Sequence, residues 1–266
     1  MGYQYIIDEW NELKLNVYVN SILQVDTVWN YPDVRDSFNR LYIPIDGAAR
    51  LQDDHRVYDM EAGRMYLIPA EARCSYLCED SFSMYCLHFN VELFPGKDLF
   101  APIGGVRQLS CPQTRLDALR RAVADESLEG MLHIKAILWQ IVYEFFRDGA
   151  DSADYLDMVR GFRKQKAVLD YLSAHLTAAT RLEEIAQALN TPVYQLSRAF
   201  RRDTGYGLKA YMEQMLIQRA RHDLMYTDAP IAAVAEELGF ADSFYFSRFF
   251  KKHEKITPRD FRNRRF

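Results

Sequence analysis

The chain has 266 residues, enough for two ordinary domains, and its composition of 49% hydrophobic and 26% charged residues is that of a globular protein. No apolar run approaches the roughly 20 residues that a membrane helix needs. The net charge of -4 hides an asymmetry: from Arg160 to Phe266 there are 19 Lys and Arg against 12 Asp and Glu, a net of +7, which leaves -11 for the remainder. One half suits a polyanion and the other would repel it.

The opening MGYQYIIDEWNELK carries acids early and has no apolar stretch followed by a small-residue cleavage site. It does not read as an export signal, so a cytoplasmic location is expected. Up to about residue 110, short runs such as RLYIPI, GRMYLIPA and SMYCLHFNV are rich in Tyr, Ile, Val and Phe and are bounded by Gly, Pro, Asp and Asn, which predicts a small barrel or sandwich. Cys74, Cys78, Cys86 and Cys111 form no CxxC pair and read as unpaired buried thiols.

From Thr114 the period changes. Leu116, Leu119 and Val123, then Ile134, Ile137, Leu138, Ile141, Val142 and Phe145, recur at three and four residues and predict two amphipathic helices. RDGADSAD, Arg147 to Asp154, has no periodicity and reads as a linker, and everything beyond it reads as helical.

The helical part repeats. Ile185-Ala186 and Leu189 correspond at an offset of 49 to Val234-Ala235 and Leu238, and Ser197-Arg198 and Phe200 correspond at an offset of 50 to Ser247-Arg248 and Phe250. Two copies of short helix, turn and longer helix make two helix-turn-helix units, the second with one extra residue in its turn. Thr180 with Glu183 fits a capping box, Thr191-Pro192 and Thr257-Pro258 each give a cap followed by proline at the first helical position, and Asp242 is a natural cap.

On a helix starting at Ser243, Phe246 and Phe250 share an inner face, while Ser243, Phe244, Ser247, Arg248 and Lys251, with Lys252 beside them, lie outside. In the first copy Leu196 and Phe200 are inner, and Val193, Tyr194, Ser197, Arg198 and Arg201 are outer. A stripe of hydroxyls and arginines suits the DNA major groove, where Arg pairs with guanine edges. A lone basic face is ordinarily a solvated surface; two matched faces in matched frames argue against that.

The C-terminal residues resemble the AraC/XylS family of bacterial transcription regulators. The carriers are Ile231, Val234-Ala235, Gly239-Phe240, Asp242, Tyr245-Phe246-Ser247-Arg248, Phe250-Lys251-Lys252, Thr257-Pro258 and Phe261-Arg262. Phe244 stands where the family has Ser, Lys255 where it has Gly after the recognition helix, and Leu216 where its linker helix has Arg. The Lys255 departure implies a costlier left-handed cap. RLYIPIDG, EAGRMYLIPA and CLHFN resemble more loosely the family's sensory domain, a cupin-like β barrel followed by helices.

The expected fold class is therefore α+β in two domains: a cupin-like effector-sensing barrel with two helices at 1–147, a linker at 148–160, and an all-α DNA-binding domain with two helix-turn-helix motifs at 161–266. Expected partners are double-stranded DNA, a small-molecule effector with sugars among the candidates, a second copy of the chain and RNA polymerase; no membrane, cofactor, metal or catalytic residue is expected. Trp10, Trp29, Tyr31, Phe38, Tyr42, Tyr58, Tyr66 and Tyr76 could stack on an effector, Arg35, Arg40 or Arg73 could fix its polar groups, and His88 would join them; core packing is the alternative for each aromatic. The long helices would form a two-fold interface, as the resemblance implies, or pack on their own barrel. The alternative function is a cupin metal enzyme fused to a DNA-binding module, but His55, His88 and His133 form no His-x-His pair, and His88, Asn90 and Glu92 on one strand face make an incomplete set. A sensor of a protein partner is the third reading.

Overall fold

The computed structural model describes residues 13–149 and 152–263. Trp10 and all but the last two of the residues read for an export signal lie outside them. The described residues divide into two compact units, one running up to Leu93 and on from Lys97 through the long helix ending at Gly149, the other comprising Phe94–Gly96 and the chain from Ser152 onward.

The first unit is built on one sheet of β1 (Lys14–Val25), β2 (Tyr31–Arg35), β3 (Asn39–Gln52), β4 (Val57–Asp59), β5 (Arg64–Ile68), β6 (Arg73–Phe94), β7 (Lys97–Asp98) and β8 (Arg107–Ser110). Its hydrogen-bonded path is β1-β6-β3-β5-β8; β2 and β7 also pair with β6, and β4 with β3. The end strands β1 and β8 do not pair with each other, so the closed barrel expected from the sequence is an open sheet among the described residues. The strand pattern predicts strands but not closure, which depends on stagger and tilt across the whole sheet. The bends of β3 are local: its register with β6 shifts between Pro44 and Asp46 and again between Gly47 and Ala49. Gly47 has φ +83°, and a Cβ there would lie 2.1 Å from the Ser81 carbonyl oxygen, so only glycine allows this close crossing.

Bending lets both halves of β3 feed one core, where Trp29, Tyr42, Leu51, Tyr66, Tyr76 and Phe82 pack together. The ring centroid of Trp29 is 4.8 Å from that of Tyr76 and 5.8 Å from that of Tyr42. All four cysteines are buried and free. Helices α1 (Gln113–Ala124) and α2 (Leu128–Gly149) complete the unit, tied by a two-fork contact of Arg115 with Glu144 at 2.7 and 2.6 Å. Ile137, Leu138, Ile141, Val142 and Phe145 are buried, so the apolar stripe read from the sequence is used within the chain, while Leu128, Met131, Leu132 and Tyr143 are exposed.

The second unit contains α3 (Ser152–Lys164), α4 (Lys166–His175), α5 (Leu182–Ala188), α6 (Val193–Thr204), α7 (Leu208–Tyr226), α8 (Ile231–Glu237), α9 (Ser243–Glu254) and α10 (Pro258–Arg262). The stretch 148–160 expected as a linker is largely the end of α2 and most of α3. The reason is Tyr155 and Phe162, two turns apart and both buried, a period that starts where the linker reading stopped. Gly161 lets α3 approach α6, since a Cβ there would meet the Asp203 carbonyl oxygen at 1.8 Å.

Candidate nucleic-acid interface and effector cleft

The two repeats fold alike. Helices α5 and α8 each have seven residues, and α6 and α9 each have twelve. The turn hydrogen bonds correspond one by one: Leu189 N–H to Ile185 O and Thr191 N–H to Ala186 O in the first, Leu238 N–H to Val234 O and Phe240 N–H to Ala235 O in the second, at 2.9 to 3.1 Å. Each turn passes through the left-handed region at the same place, Asn190 with φ +46° and Gly239 with φ +75°. The extra residue of the second copy falls after Phe240, ahead of Asp242, whose carboxylate accepts from the Tyr245 N–H at 2.6 Å.

Three capping expectations shift. Helix α5 starts one residue later than the Thr180–Glu183 pairing implies: Arg181 is its cap, and the Arg181 N–H donates to the Glu184 carboxylate at 3.4 Å. The Thr180 hydroxyl instead donates to the His175 carbonyl. Pro192 is the capping residue of α6 rather than its first helical residue, and the Thr191 hydroxyl donates to Leu189 O. Lys255 keeps the left-handed cap despite its side chain: at φ +65° its N–H donates to Lys251 O, as Gly205 at φ +79° donates to Arg201 O. Thr257 caps α10 by accepting from the Asp260 N–H at 3.1 Å, with Pro258 at the first helical position.

Leu196, Phe200, Val234, Ala235, Leu238, Phe246 and Phe250 are buried. On the other side of α6, Tyr194, Arg198 and Arg201 are exposed, with Val193 and Ser197 half-buried beside them. On α9 the exposed set is Ser243, Phe244, Tyr245, Arg248, Lys251 and Lys252, with Ser247 half-buried. Tyr194 and Phe244 are each 71% exposed, a high value for rings with no core role. The Arg248 guanidinium lies 5.9 Å from the Phe244 ring centroid, the Ser247 hydroxyl donates back to Ser243 O at 2.7 Å, and Lys252 Nζ reaches Glu213 at 3.4 Å. Leu216 is buried in α7, where it packs instead of presenting a cation.

In the first unit the residues named as effector contacts separate. Trp29, Tyr42, Tyr66, His88 and Arg40 are buried in packed core. Arg40 is fully buried, with Nη1 2.9 Å from Asp36 and Nη2 donating to Ala72 O. His88 stacks on Phe38, with its Nε2 3.5 Å from Cys86 Sγ; burial, helped by the Arg40 charge, pushes its pKa down to about 3. Tyr31 is half-buried at the edge of that core. Among the described residues no group of three or more His, Cys, Asp or Glu could hold a metal ion.

Of the predicted contacts among the described residues, Arg35, Tyr58 and Arg73 line an open cleft of this unit, which measures about 810 Å³ and lies among the β3–β4 turn, the loop before β6 and the segment leading into β8. Asp53, Arg56 and Arg107 line it too. These three are not expected from the sequence, since their charge sits in turns that carry no strand pattern. The signal present was the crowding of charge into two turns, DDHR and GGVR.

Two tandem helix-turn-helix units joined through one helix define the C-terminal unit as a DNA-binding module of the regulator type. A family model described as a helix-turn-helix domain matches residues 185–264. Regulatory protein PocR of Salmonella typhimurium is 27% identical over 146 residues, covering 53% of this chain and 48% of that protein. The HTH-type transcriptional activator RhaS of Yersinia pestis is 32% identical over 96 residues, covering 36% of this chain and 35% of that protein. The chain thus spans about half the length of the first relative and a third of the second. In this C-terminal unit the chain is similar to regulators of the AraC type. The apo form of a ToxT variant from Vibrio cholerae has the same fold over 95% of this chain and 97% of its own, with a TM-score of 0.54 at 16% identity. ToxT with an unsaturated fatty acid bound gives 0.51, also at 16% identity, over 94% of both chains. This likeness extends the match in fold to the β-rich unit as well as the helical one.

Proposed function

We propose that the protein is a sequence-specific DNA-binding transcription regulator, acting in the cytoplasm, whose N-terminal unit senses a small molecule. The observation that carries the reading is the pair of matched outer stripes, Val193, Tyr194, Ser197, Arg198 and Arg201 on α6 and Ser243, Phe244, Ser247, Arg248, Lys251 and Lys252 on α9. Both helices bury an apolar face and leave arginines and large rings outside, Tyr194 on α6 and Phe244 and Tyr245 on α9. Arg198 and Arg248 are the base-reading residues; Arg201, Lys251 and Lys252 bind phosphates. The relatives' printed names, a regulatory protein and a transcriptional activator, agree with this reading, and a fatty acid bound to ToxT supports an effector in general without indicating a sugar.

RNA polymerase is a further partner of such a regulator. A homodimer is supported by the exposed apolar residues Leu128, Met131, Leu132 and Tyr143 along α2. On this reading the chain is a binding protein and not an enzyme; the metal-enzyme alternative is disfavoured by the place of His88 in the packed core.

The test is selection of binding sites from random duplex DNA, followed by affinity measurements at fixed salt. Arg198→Ala and Arg248→Ala should each cost about 1–3 kcal/mol on the selected site and relax base preference, whereas Arg201→Ala should weaken all sequences alike. Wild-type base preference in both Arg198→Ala and Arg248→Ala would reject the stripe assignment.

A further inference from the structure

The aromatic core of the N-terminal unit is filled by its own side chains, so a ligand has to be sought elsewhere in that unit. The cleft beside it is polar and its walls are preorganised. Asp53 accepts four hydrogen bonds: from the His55 and Arg56 N–H groups at 2.8 and 2.9 Å, from the Val106 N–H at 2.9 Å and from the Tyr58 hydroxyl at 3.1 Å. Burial raises its pKa, but these bonds outweigh that effect and hold it below the ordinary carboxylate value. Asp53 is thus a structural anchor, with its acceptor capacity taken up by the turn.

The arginines around it differ in what they hold. Arg35 is paired with Glu71 at 2.8 Å and Arg73 faces Asp33 at 3.6 Å. Among the described residues Arg56 has no carboxylate within ion-pair distance; its guanidinium sits 4.0 Å from the ring centroid of Tyr58, whose hydroxyl is held by Asp53 and by Val106 O. Stacking of this kind fixes the plane of a guanidinium and leaves its N–H edge to bind something else. Arg107 also has no carboxylate within ion-pair distance among the described residues. Its Nη2 donates to Ile103 O at 3.3 Å, while its Nε is buried without a hydrogen-bond partner. A buried guanidinium N–H left unmade is costly, so such a group points to a missing acceptor. Glu71, on the same lining, is held at φ +68°, a left-handed conformation that a non-glycine residue adopts only where its surroundings impose it.

We propose that this cleft is the effector site and that its ligand is a hydroxylated organic anion of the sugar-acid or sugar-phosphate class. The anionic group is bound by Arg56 and Arg107, and the hydroxyls donate to Asp54 and Asp148 on the rim. The cleft has room for a molecule of that size. A neutral sugar would satisfy the carboxylates but leave the two guanidinium groups without an anion. The proposal rests on the reading of the N-terminal unit as a sensor.

The experiment is calorimetric titration and thermal shift of the full chain with gluconate, glucose 6-phosphate, glucose and inorganic phosphate at millimolar concentration. Gluconate or glucose 6-phosphate should bind and raise the melting temperature, and whichever binds identifies carboxylate or phosphate as the anion. Glucose should not bind, and Arg56→Ala and Arg107→Gln should each weaken the anion at least about tenfold. Arg56 lies on an exposed turn, so its variant reads binding even if Arg107→Gln misfolds. Failure of both organic anions to bind, glucose or inorganic phosphate binding as tightly as they do, or undiminished binding by Arg56→Ala would overturn the assignment. DNA affinity measured with and without the bound anion tests the sensor reading separately: an anion that binds in the cleft without changing DNA affinity leaves the cleft assignment standing and removes the sensor reading.

Discussion

Arg221, in the middle of the buried face of α7, meets Glu254, the last residue of α9, at 2.5 Å, with their side chains 5% and 6% exposed. The pair ties the second recognition helix to the helix that joins the two units. Glu254 stands at a helix C-terminus, where the macrodipole disfavours an anion, so Arg221 is the group that makes its charge tolerable there. Removing one partner strands a buried charge and costs about 3–5 kcal/mol, whereas replacing both with apolar residues of similar volume is near neutral. Glu254→Gln and Arg221→Met should therefore each lose about 3–5 kcal/mol, a large part of the roughly 5–15 kcal/mol that holds an ordinary domain together. The double variant Arg221→Met with Glu254→Leu should recover most of that loss. The assay is urea unfolding of the full chain followed by far-ultraviolet circular dichroism, paired with DNA affinity at fixed salt. DNA binding should fall in the single variants and return in the double one. A Glu254→Gln protein within about 1 kcal/mol of the parent, or a double variant as unstable as the singles, would refute the assignment of a buried, coupled pair.

Gly239→Ala should destabilise by about 2 kcal/mol or more, because it places a side chain at φ +75° and sets a Cβ 2.6 Å from that of Thr177; a melting temperature equal to the parent's would contradict the turn geometry. Stability against pH should reveal two opposed buried groups. The Asp98 pKa is pushed up to about 6 by burial, against its hydrogen bonds from Asn90, Phe100, Val91 and Asn39, so its contribution to stability falls as pH rises from about 4 to 6. The His88 pKa, pushed down to about 3, gives the reverse: the unfolded chain binds that proton from about pH 3 to 6.5, so stability rises with pH there. Asp98→Asn removes the first effect, and its urea-unfolding free energy should climb between about pH 4 and 6 more steeply than the parent's, by up to ~1.4 kcal/mol per pH unit; parallel slopes would mean that Asp98 does not titrate in that window. Finally, α7 has 19 residues and spans about 28 Å, near the ~34 Å between major-groove faces on one side of B-DNA. Inserting about five base pairs between the two sub-sites should reduce affinity to that of a single helix-turn-helix, and unchanged affinity would show that only one unit contacts DNA.

The helical half was legible because its information is local and repeated. Apolar spacing placed Leu196, Phe200, Phe246 and Phe250 in the core, and the offset changing from 49 to 50 located the extra turn residue, since a helix presents one face every three to four residues whatever surrounds it. The Lys255 cap was not legible in the same way: the residue type argues against φ > 0, and the backbone hydrogen bond to Lys251 O, held by the helix before it, overrides that preference. The boundary between the two units falls inside the stretch read as a linker, but its helical character was not legible, because the burial of Phe162 depends on Phe94, Phe200 and Tyr211, neighbours far along the chain. In the β-rich half, alternation and turn residues identified strands but carried no information on whether β1 meets β8, a question of register accumulated over the whole sheet. The same holds for the effector region. Tyr42, Tyr66, Trp29 and His88 read as pocket or core with equal ease, and only the packing of bent strands buries them. Arg56 and Arg107, 51 positions apart in sequence, become one site only because the turn after β3 and the start of β8 are brought together by the bonds that Asp53 makes to both.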